Sequence, residues 1–201
     1  MKGVLIATAL TIFLSGCVSQ ERAAFLNSTP GVELGHKDGY EFLKGYSATF
    51  PSQGKYELDS LKSCVIKNIT NNEVQLSDGS RSFTGAYTGN YYNITSNSQI
   101  NGSEVIKTDT SSGLIFAGNG SYLTEGVLAV KRVVRFVGEI KQKDGKTIFE
   151  FANIQQAQTD SGAIPNSGFY DVASFSAASP DKVIGVLRES ASNINSCLQK
   201  S

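Results

Sequence analysis

Two long β-forming runs meet at Asp144-Gly145, and this junction constrains the chain more than any other feature. The run from Ser121 to Lys141 carries Val130, Val133, Val134, Phe136, Val137 and Ile140, a concentration of β-branched and aromatic mass. Thr147 to Ile154 then returns, with Thr147, Phe149 and Phe151 on one face at period two, the face assigned to the core. Asp-Gly accepts the left-handed backbone of a tight hairpin turn. Downstream, Ser179-Pro180-Asp181 opens a helix: Ser179 as N-cap, Pro180 at the first helical position, Asp181 at the positive end of the dipole. Val183, Ile184, Leu187, Ala191, Ile194 and Leu198 form its apolar stripe at a period of 3.6. These elements predict an α+β fold: an antiparallel β-sheet of about six to eight strands with a C-terminal helix packed on one face.

The rest of the chain is read around that frame. Residues 35–60 are rich in glycine and in aromatic residues (Tyr40, Phe42, Tyr46, Phe50, Tyr56) and read as an irregular segment laid over the body. The alternative is an aromatic wall for a ligand. Cys64 to Ile69 and Glu73 to Ser77 flank Thr70-Asn71-Asn72 and are expected to pair as a hairpin. Asp78-Gly79-Ser80 makes a turn, and residues 81–95 hold one or two short strands bent at a glycine. Glu104 to Thr108 and Leu114 to Ala117 form strands across a turn at residues 109–113, before Gly118-Asn119-Gly120 breaks the pattern. Residues 155–178 read as a long surface loop, of a length that is unusual without a function, in which Phe169 to Val172 docks.

The N-terminus carries a different signal. Lys2 precedes an uncharged apolar run over residues 4–14, and small residues lead into a cysteine, as in a secretory signal. The run is too short for a transmembrane helix. Leu14-Ser15-Gly16-Cys17 resembles the lipobox of bacterial lipoproteins. That resemblance implies a diacylglycerol on the Cys17 thiol, removal of residues 1–16 and acylation of the new amino group. It also implies an outer-membrane destination, because Val18, rather than the retention-signal Asp, follows the cysteine. The expected organisation is a signal peptide over 1–16, a lipidated cysteine and tether over 17–34, and a single α+β domain over 35–201. Within the tether, residues 19–26 form a short helix that stays flexible unless Phe25 and Leu26 dock. With Cys17 consumed by lipid, Cys64 and Cys197 remain. An even number in an oxidising compartment is expected to pair; two separate buried thiols are the alternative.

The chain offers little catalytic chemistry. It has neither a His-Glu-x-x-His motif nor a Gly-x-Ser-x-Gly elbow, and its one histidine is His36. Two distant thiols and one imidazole do not close a zinc site, so no metal, cofactor or catalytic residue is expected. Asp38, Glu41, Glu57 and Asp59 form a loose acidic group of the kind glycosidases use in pairs; loop acids of this sort are more often only solvated. Lys131, Arg132, Arg135 and Lys141 form a basic strip along the long strand or a solvated sheet face. With 18 basic and 18 acidic residues, the charge is balanced, and neither nucleic acid nor an anionic lipid surface is implied as a partner. The Asn-x-Ser/Thr triplets at Asn27, Asn68, Asn93, Asn101 and Asn119 read as turn composition beside a bacterial lipobox.

Residues 104–198 carry Ser112 to Gly118, the long strand, Asp144-Gly145-Lys146, Phe149 to Ile154 and the final helix. In this they resemble small TBP-like domains of uncharacterised envelope lipoproteins, although the early helix usual in that group is not evident here. The resemblance implies a curved antiparallel sheet with a helix on one face, and no activity. The functional expectation is a non-catalytic, lipid-anchored protein of the cell envelope, held to the membrane by its anchor, with a structural role or a protein partner in the envelope. A lipoprotein for a small apolar ligand would need a cavity between helix and sheet. A surface adhesion or host-interaction factor would need outward display.

Overall fold

The computed structural model describes residues 21–111, 113–126 and 129–200. In chain order its strands and helices are β1 (Val32–Lys37), β2 (Tyr40–Pro51), α1 (Leu58–Asn68), β3 (Val74–Asp78), β4 (Phe83–Thr84), β5 (Tyr91–Tyr92), β6 (Ser96–Ile100), β7 (Ile106–Thr110), β8 (Gly113–Leu123), β9 (Lys131–Lys143), β10 (Lys146–Gln158), β11 (Tyr170–Asp171) and α2 (Pro180–Leu198). The main sheet runs β1-β2-β10-β9-β8-β7, and every pairing in it is antiparallel. Two short pairs, β3 with β6 and β4 with β5, stand outside it. The α+β architecture read from the sequence is therefore the observed one, with α2 packed on one face.

The β9–β10 hairpin turns where the sequence places it. Asp144 and Gly145 both have positive φ, 52° and 69°, which sets Lys143 opposite Lys146. Thr147, Phe149 and Phe151 all point into the core. There Phe116, Phe136 and Phe151 meet edge to face, and Phe149 meets Phe50 the same way. Two glycines let this layer close. A Cβ on Gly138 would sit 2.3 Å from the Phe116 ring, and one on Gly118 would sit 2.5 Å from Ile69. Gly118 and Gly120 thus lie inside β8, where the sequence suggested a break, because the helix layer approaches too closely for larger residues.

All six stripe residues of α2 are buried, as are Leu61, Cys64 and Val65 of α1 beside it. The expected strand at residues 64–69 is the last part of α1. Leu58, Leu61 and Val65 recur at helical spacing, Ile66 points to solvent, and Asp59 and Lys67 sit at the ends the dipole favours. The β-branched pair Val65-Ile66 suggests a strand only when Leu58 and Leu61 are left out. The expected hairpin across Thr70-Asn71-Asn72 therefore does not form. Thr70 bridges Asn119 of β8 instead, and Val74–Asp78 pairs with Ser96–Ile100. Ser179 occupies the N-cap position of α2, but at φ 57° and ψ 47°, and its side chain caps nothing. An N-cap hydroxyl reaches the first free amides from extended backbone, which this residue does not adopt.

The body also begins earlier than residue 35. Arg22 bridges Phe175, the Ala23 amide bonds the Ser174 carbonyl at 2.9 Å, and Ala23 and Leu26 are buried. Residues 32–51 form an edge hairpin rather than an irregular cover. Its turn is a second Asp-Gly, Asp38-Gly39, with φ 49° and 82°. Tyr46 stacks near Phe151 and Phe50 contacts Phe149, so these rings complete the core and line no ligand wall.

The stretch at 155–178 is only partly loop. β10 continues to Gln158 past a bulge, with Asn153 at φ 51° and the register shifting between Ala152 and Gln155. Beyond the bulge β10 changes partner from β2 to β11. Residues 171–173 slot between the two strands, and the Leu43 amide bonds the Val172 carbonyl at 2.8 Å. On the sheet face away from the helices, Val74 and Leu76 pack on Val133 and Ala157, with Ile100 and Phe169 alongside. This small second core fixes the β3–β6 pair to the body.

Candidate functional site

Cys17, the expected lipidation site, lies outside the described residues. Cys64 and Cys197 are bonded, with Cα atoms 5.6 Å apart and 133 residues between them in sequence. The bridge joins α1 to α2, helix to helix, instead of helix to strand, because Cys64 is helical.

Among the described residues the one convergence of the candidate groups is at the N-terminal edge, where Glu21, Arg22, His36 and Glu41 line an open pocket of about 430 Å³ beside Ser174 and Phe175. His36 is exposed near the β1–β2 turn, its Nε2 3.4 Å from Glu41 Oε1. Glu41 is held by Arg22, whose Nε donates to Glu41 Oε2 at 2.6 Å and whose Nη2 donates to Oε1. The Arg22 guanidinium holds the Glu41 carboxyl below its ordinary value. Asp38 and Glu41 lie at the start of the β1–β2 hairpin, whereas Glu57 and Asp59 lie at the start of α1, beyond the 12-residue β2. A strand of that length spans roughly 40 Å, far more than the separation a pair of glycosidase carboxylates requires. Among the described residues no group of three or more His, Cys, Asp or Glu side chains is placed to hold a metal ion.

Alternation along β9 takes only Arg132 out of the basic strip, and Lys131, Arg135 and Lys141 share the face away from the helices. Arg132 turns toward the helix side, where its Nη1 donates to the Ala178 carbonyl at 3.2 Å. Beside it, Tyr122 donates to the buried Gln156 at 2.6 Å, and Gln156 donates to the same carbonyl at 2.9 Å. Burial pushes the Tyr122 hydroxyl up. Arg135 faces the other way, giving two N–H bonds to Gln155 Oε1 at 2.9 and 2.6 Å and lying 4.3 Å over the Phe169 ring. Lys141 is paired with Glu139 and Glu150. Three of these four cations are occupied by groups of the protein itself.

The helix–sheet interior is filled by aromatic and aliphatic side chains. Open concavities occur beside α1 and between the two helix ends, and another lies on the opposite face, where the β3–β6 pair overhangs the sheet. A cleft of about 700 Å³ opens there, walled by Asn71, Asn72, Asn101 and Ser103, floored by Ala117 and Val137, and closed by the Arg135–Phe169 pair. It runs into a second trough of similar volume over Ile115, Glu139 and Ala152. The lining of the cleft is mixed: an asparagine-rich wall, an apolar floor, and the charged groups of Lys37, Lys44, Arg135 and Asp171 at its margin, an open arrangement suited to a solvated partner and ill suited to enclosing an apolar molecule.

Above the cleft, the chain leaves β3, makes the small β4–β5 hairpin, and returns as β6. Asp78 fixes the base of this excursion. It accepts bonds from the Ser80 amide and hydroxyl and from the Asn166 amide, which hold its carboxyl below the ordinary value. At the far end Phe83, Tyr87, Tyr91, Tyr92 and Ile94 are all exposed. Sequence reading treats this segment as short strands and assigns it no role. The signal it misses is charge: from Ser82 to Ser103 there is no Asp, Glu, Lys or Arg.

No known protein family's sequence pattern matches the chain, and no curated protein matches it. Among solved structures it is similar to a DUF4468 family protein from Bacteroides ovatus, at 10% identity, with 81% of this chain and 84% of that one covered and a TM-score of 0.33.

Proposed function

We propose that this chain is a lipid-anchored bacterial envelope protein, held at Cys17 and favouring the outer membrane, with a non-catalytic binding or structural role. Leu14-Ser15-Gly16-Cys17 carries the reading. The Cys64–Cys197 bridge agrees with export to an oxidising compartment. The helix packed on an antiparallel sheet is the arrangement that the resemblance of residues 104–198 to TBP-like envelope domains implies. The chain is already packed at Arg22 and Ala23, five and six residues past Cys17, which agrees with a body held close to the membrane surface. Among the described residues no helix is long and apolar enough to cross a membrane, and two or more acyl chains supply the affinity.

The non-catalytic part rests on where the reactive groups lie. Glu41 is engaged by Arg22, His36 stands in solvent, and the remaining carboxylates are spread over the surface. The filled helix–sheet interior disfavours a small apolar cargo, and the open cleft favours a large, solvated partner. Metabolic labelling with radioactive palmitate tests the anchor: the wild-type chain takes up label and stays with washed membranes, and Cys17→Ala loses both. An unlabelled wild-type chain, or a variant that is processed and retained normally, would refute the reading.

A further inference from the structure

The β4–β5 hairpin spends apolar surface without burying it. Phe83 and Tyr92 stack face to face, ring centres 5.0 Å apart and planes 18° apart, yet each remains about half exposed. Tyr91 points to the other side of the hairpin, since it pairs with Thr84 while Tyr92 pairs with Phe83, and Tyr87 stands fully exposed at the tip. These rings are absent from both hydrophobic cores. The hairpin is held by its own turn: the Gly85 amide bonds the Asn90 carbonyl, the Gly89 amide bonds the Gly85 carbonyl, and Ser82 Oγ contacts Asn93 and Ile94. Its stem is pinned by Asp78 and by Val74, Leu76 and Ile100 in the second core. The rings are thus displayed on a preorganised support, which keeps the entropic cost of engaging a partner low.

The chemistry of the segment selects the partner. Between the rings lie Thr84, Thr88, Asn90, Asn93 and Thr95, short side chains that both donate and accept hydrogen bonds, and no charge occurs within residues 82–103. Single-stranded nucleic acid also stacks on aromatic rings, but it requires a cationic track beside them. Insertion into the hydrocarbon core of a bilayer would strip water from the threonine and asparagine groups without replacing their bonds, and shallow contact with headgroups is the outcome that the vesicle arm below tests. A charged protein or polyanion finds no counter-charge among residues 82–103, and Arg81 lies at the stem facing Asp78. A neutral sugar polymer meets every condition. Its pyranose rings present apolar C–H faces that pack flat on aromatic rings, and the hydroxyls around their edges exchange bonds with amides and hydroxyls. We propose that residues 83–94 are a docking finger for neutral carbohydrate, with Tyr87, Tyr91 and the Phe83–Tyr92 stack as platforms for pyranose rings. This names a partner class for the envelope protein described above and rests on that reading only for where the glycan is met.

The test uses the full-length protein with cellohexaose, chitohexaose and xylohexaose as neutral probes, hyaluronan as an acidic one, and phosphatidylethanolamine/phosphatidylglycerol vesicles as a lipid surface. Saturation-transfer NMR and titration should detect at least one neutral hexaose. Tyr87→Ala/Tyr91→Ala should weaken it about tenfold or more, as loss of aromatic anchors does. Tyr87→Phe/Tyr91→Phe, which keeps the platforms, should stay within about threefold of the wild type. An unchanged melting temperature in the alanine variant separates lost binding from lost folding. The proposal is overturned if no neutral hexaose binds, if the alanine variant binds as well as the wild type, or if only hyaluronan or vesicles bind. Palmitate labelling of Cys17 is unaffected by any of these results, so failure of the finger and failure of the anchor are told apart.

Discussion

Aromatic rings meet two opposite fates in this molecule. In the main core, Phe116, Phe136, Phe149 and Phe151 are sealed between the sheet and two helices, touching edge to face. In the finger, Phe83, Tyr87, Tyr91 and Tyr92 are displayed to water on a hairpin that supports itself. The first set stabilises the fold through the area it removes from water. The second contributes far less to folding, because Tyr87 and Tyr91 stay wet and Phe83 and Tyr92 cover each other only in part. Neighbours in sequence separate the two. The core rings sit on long strands beside Ile115, Val137 and Ile148 and the charged Arg135 and Glu150, whereas the finger rings sit on two-residue strands and their turn, beside Ser82, Thr84, Ala86, Thr88, Asn90 and Asn93. Ring content alone therefore says little about a segment's role.

Removing the staple over the covered rings should have the largest effect. Cys64→Ser/Cys197→Ser opens a loop with a sequence separation of 133 residues. The chain-entropy model sets the loss at about 5 kcal/mol, an upper figure. Chemical denaturation should show it, and added reductant should reproduce it in the wild type. Emptying one core position comes next: Phe149→Ala should cost about 4 kcal/mol, since the ring is fully buried. A loss below about 1 kcal/mol would mean that the covered layer is plastic, and the contrast with the finger would collapse.

A smaller effect is expected at the N-terminal strap. The carboxyl of Glu41 is depressed by Arg22, so the stability it contributes is fully present above its ordinary value of 4.5 and is lost as pH falls through its lower folded value. Limited proteolysis near Arg22 should accelerate in that acidic window, and Glu41→Gln should show the faster rate already at neutral pH. A rate independent of pH in the wild type would remove Glu41 from the strap. The smallest effect is expected at Tyr87→Ala, which should shift stability by no more than about 0.5 kcal/mol. A large shift there would show the finger to be part of the folded core.

Legibility in the sequence followed the range of the deciding interaction. The β9–β10 turn and the stripe of α2 depend on residues close together in sequence, and both are read correctly. Asp38-Gly39 carries the same local code as Asp144-Gly145, but the aromatic residues after it suggest an irregular cover, and its hairpin is missed. Helix α1 is misread because Val65 and Ile66 favour strands locally, while contact with α2 and the bridge decide in favour of a helix. The insertion of residues 171–173 between β2 and β10 depends on a bulge at Asn153, a partner switch that no short window of sequence encodes. The paired-carboxylate candidates are separated by strand length, whereas of the basic strip only Arg132 is turned to the other face by alternation. The finger was legible after all, in the absence of charge over 22 residues, a signal carried by what is missing rather than by a motif.

The bridge also changes what a cut does. Residues 65–196, the finger included, form a covalent ring closed by Cys64 and Cys197. Exposed hairpin tips are where proteases nick folded domains. A nick at Gly89 would leave two pieces still joined through α1 and α2, running as one species without reductant and as two with it. The piece that begins upstream of the cut would keep the other attached, so a damaged finger would be retained on the protein and not shed from it.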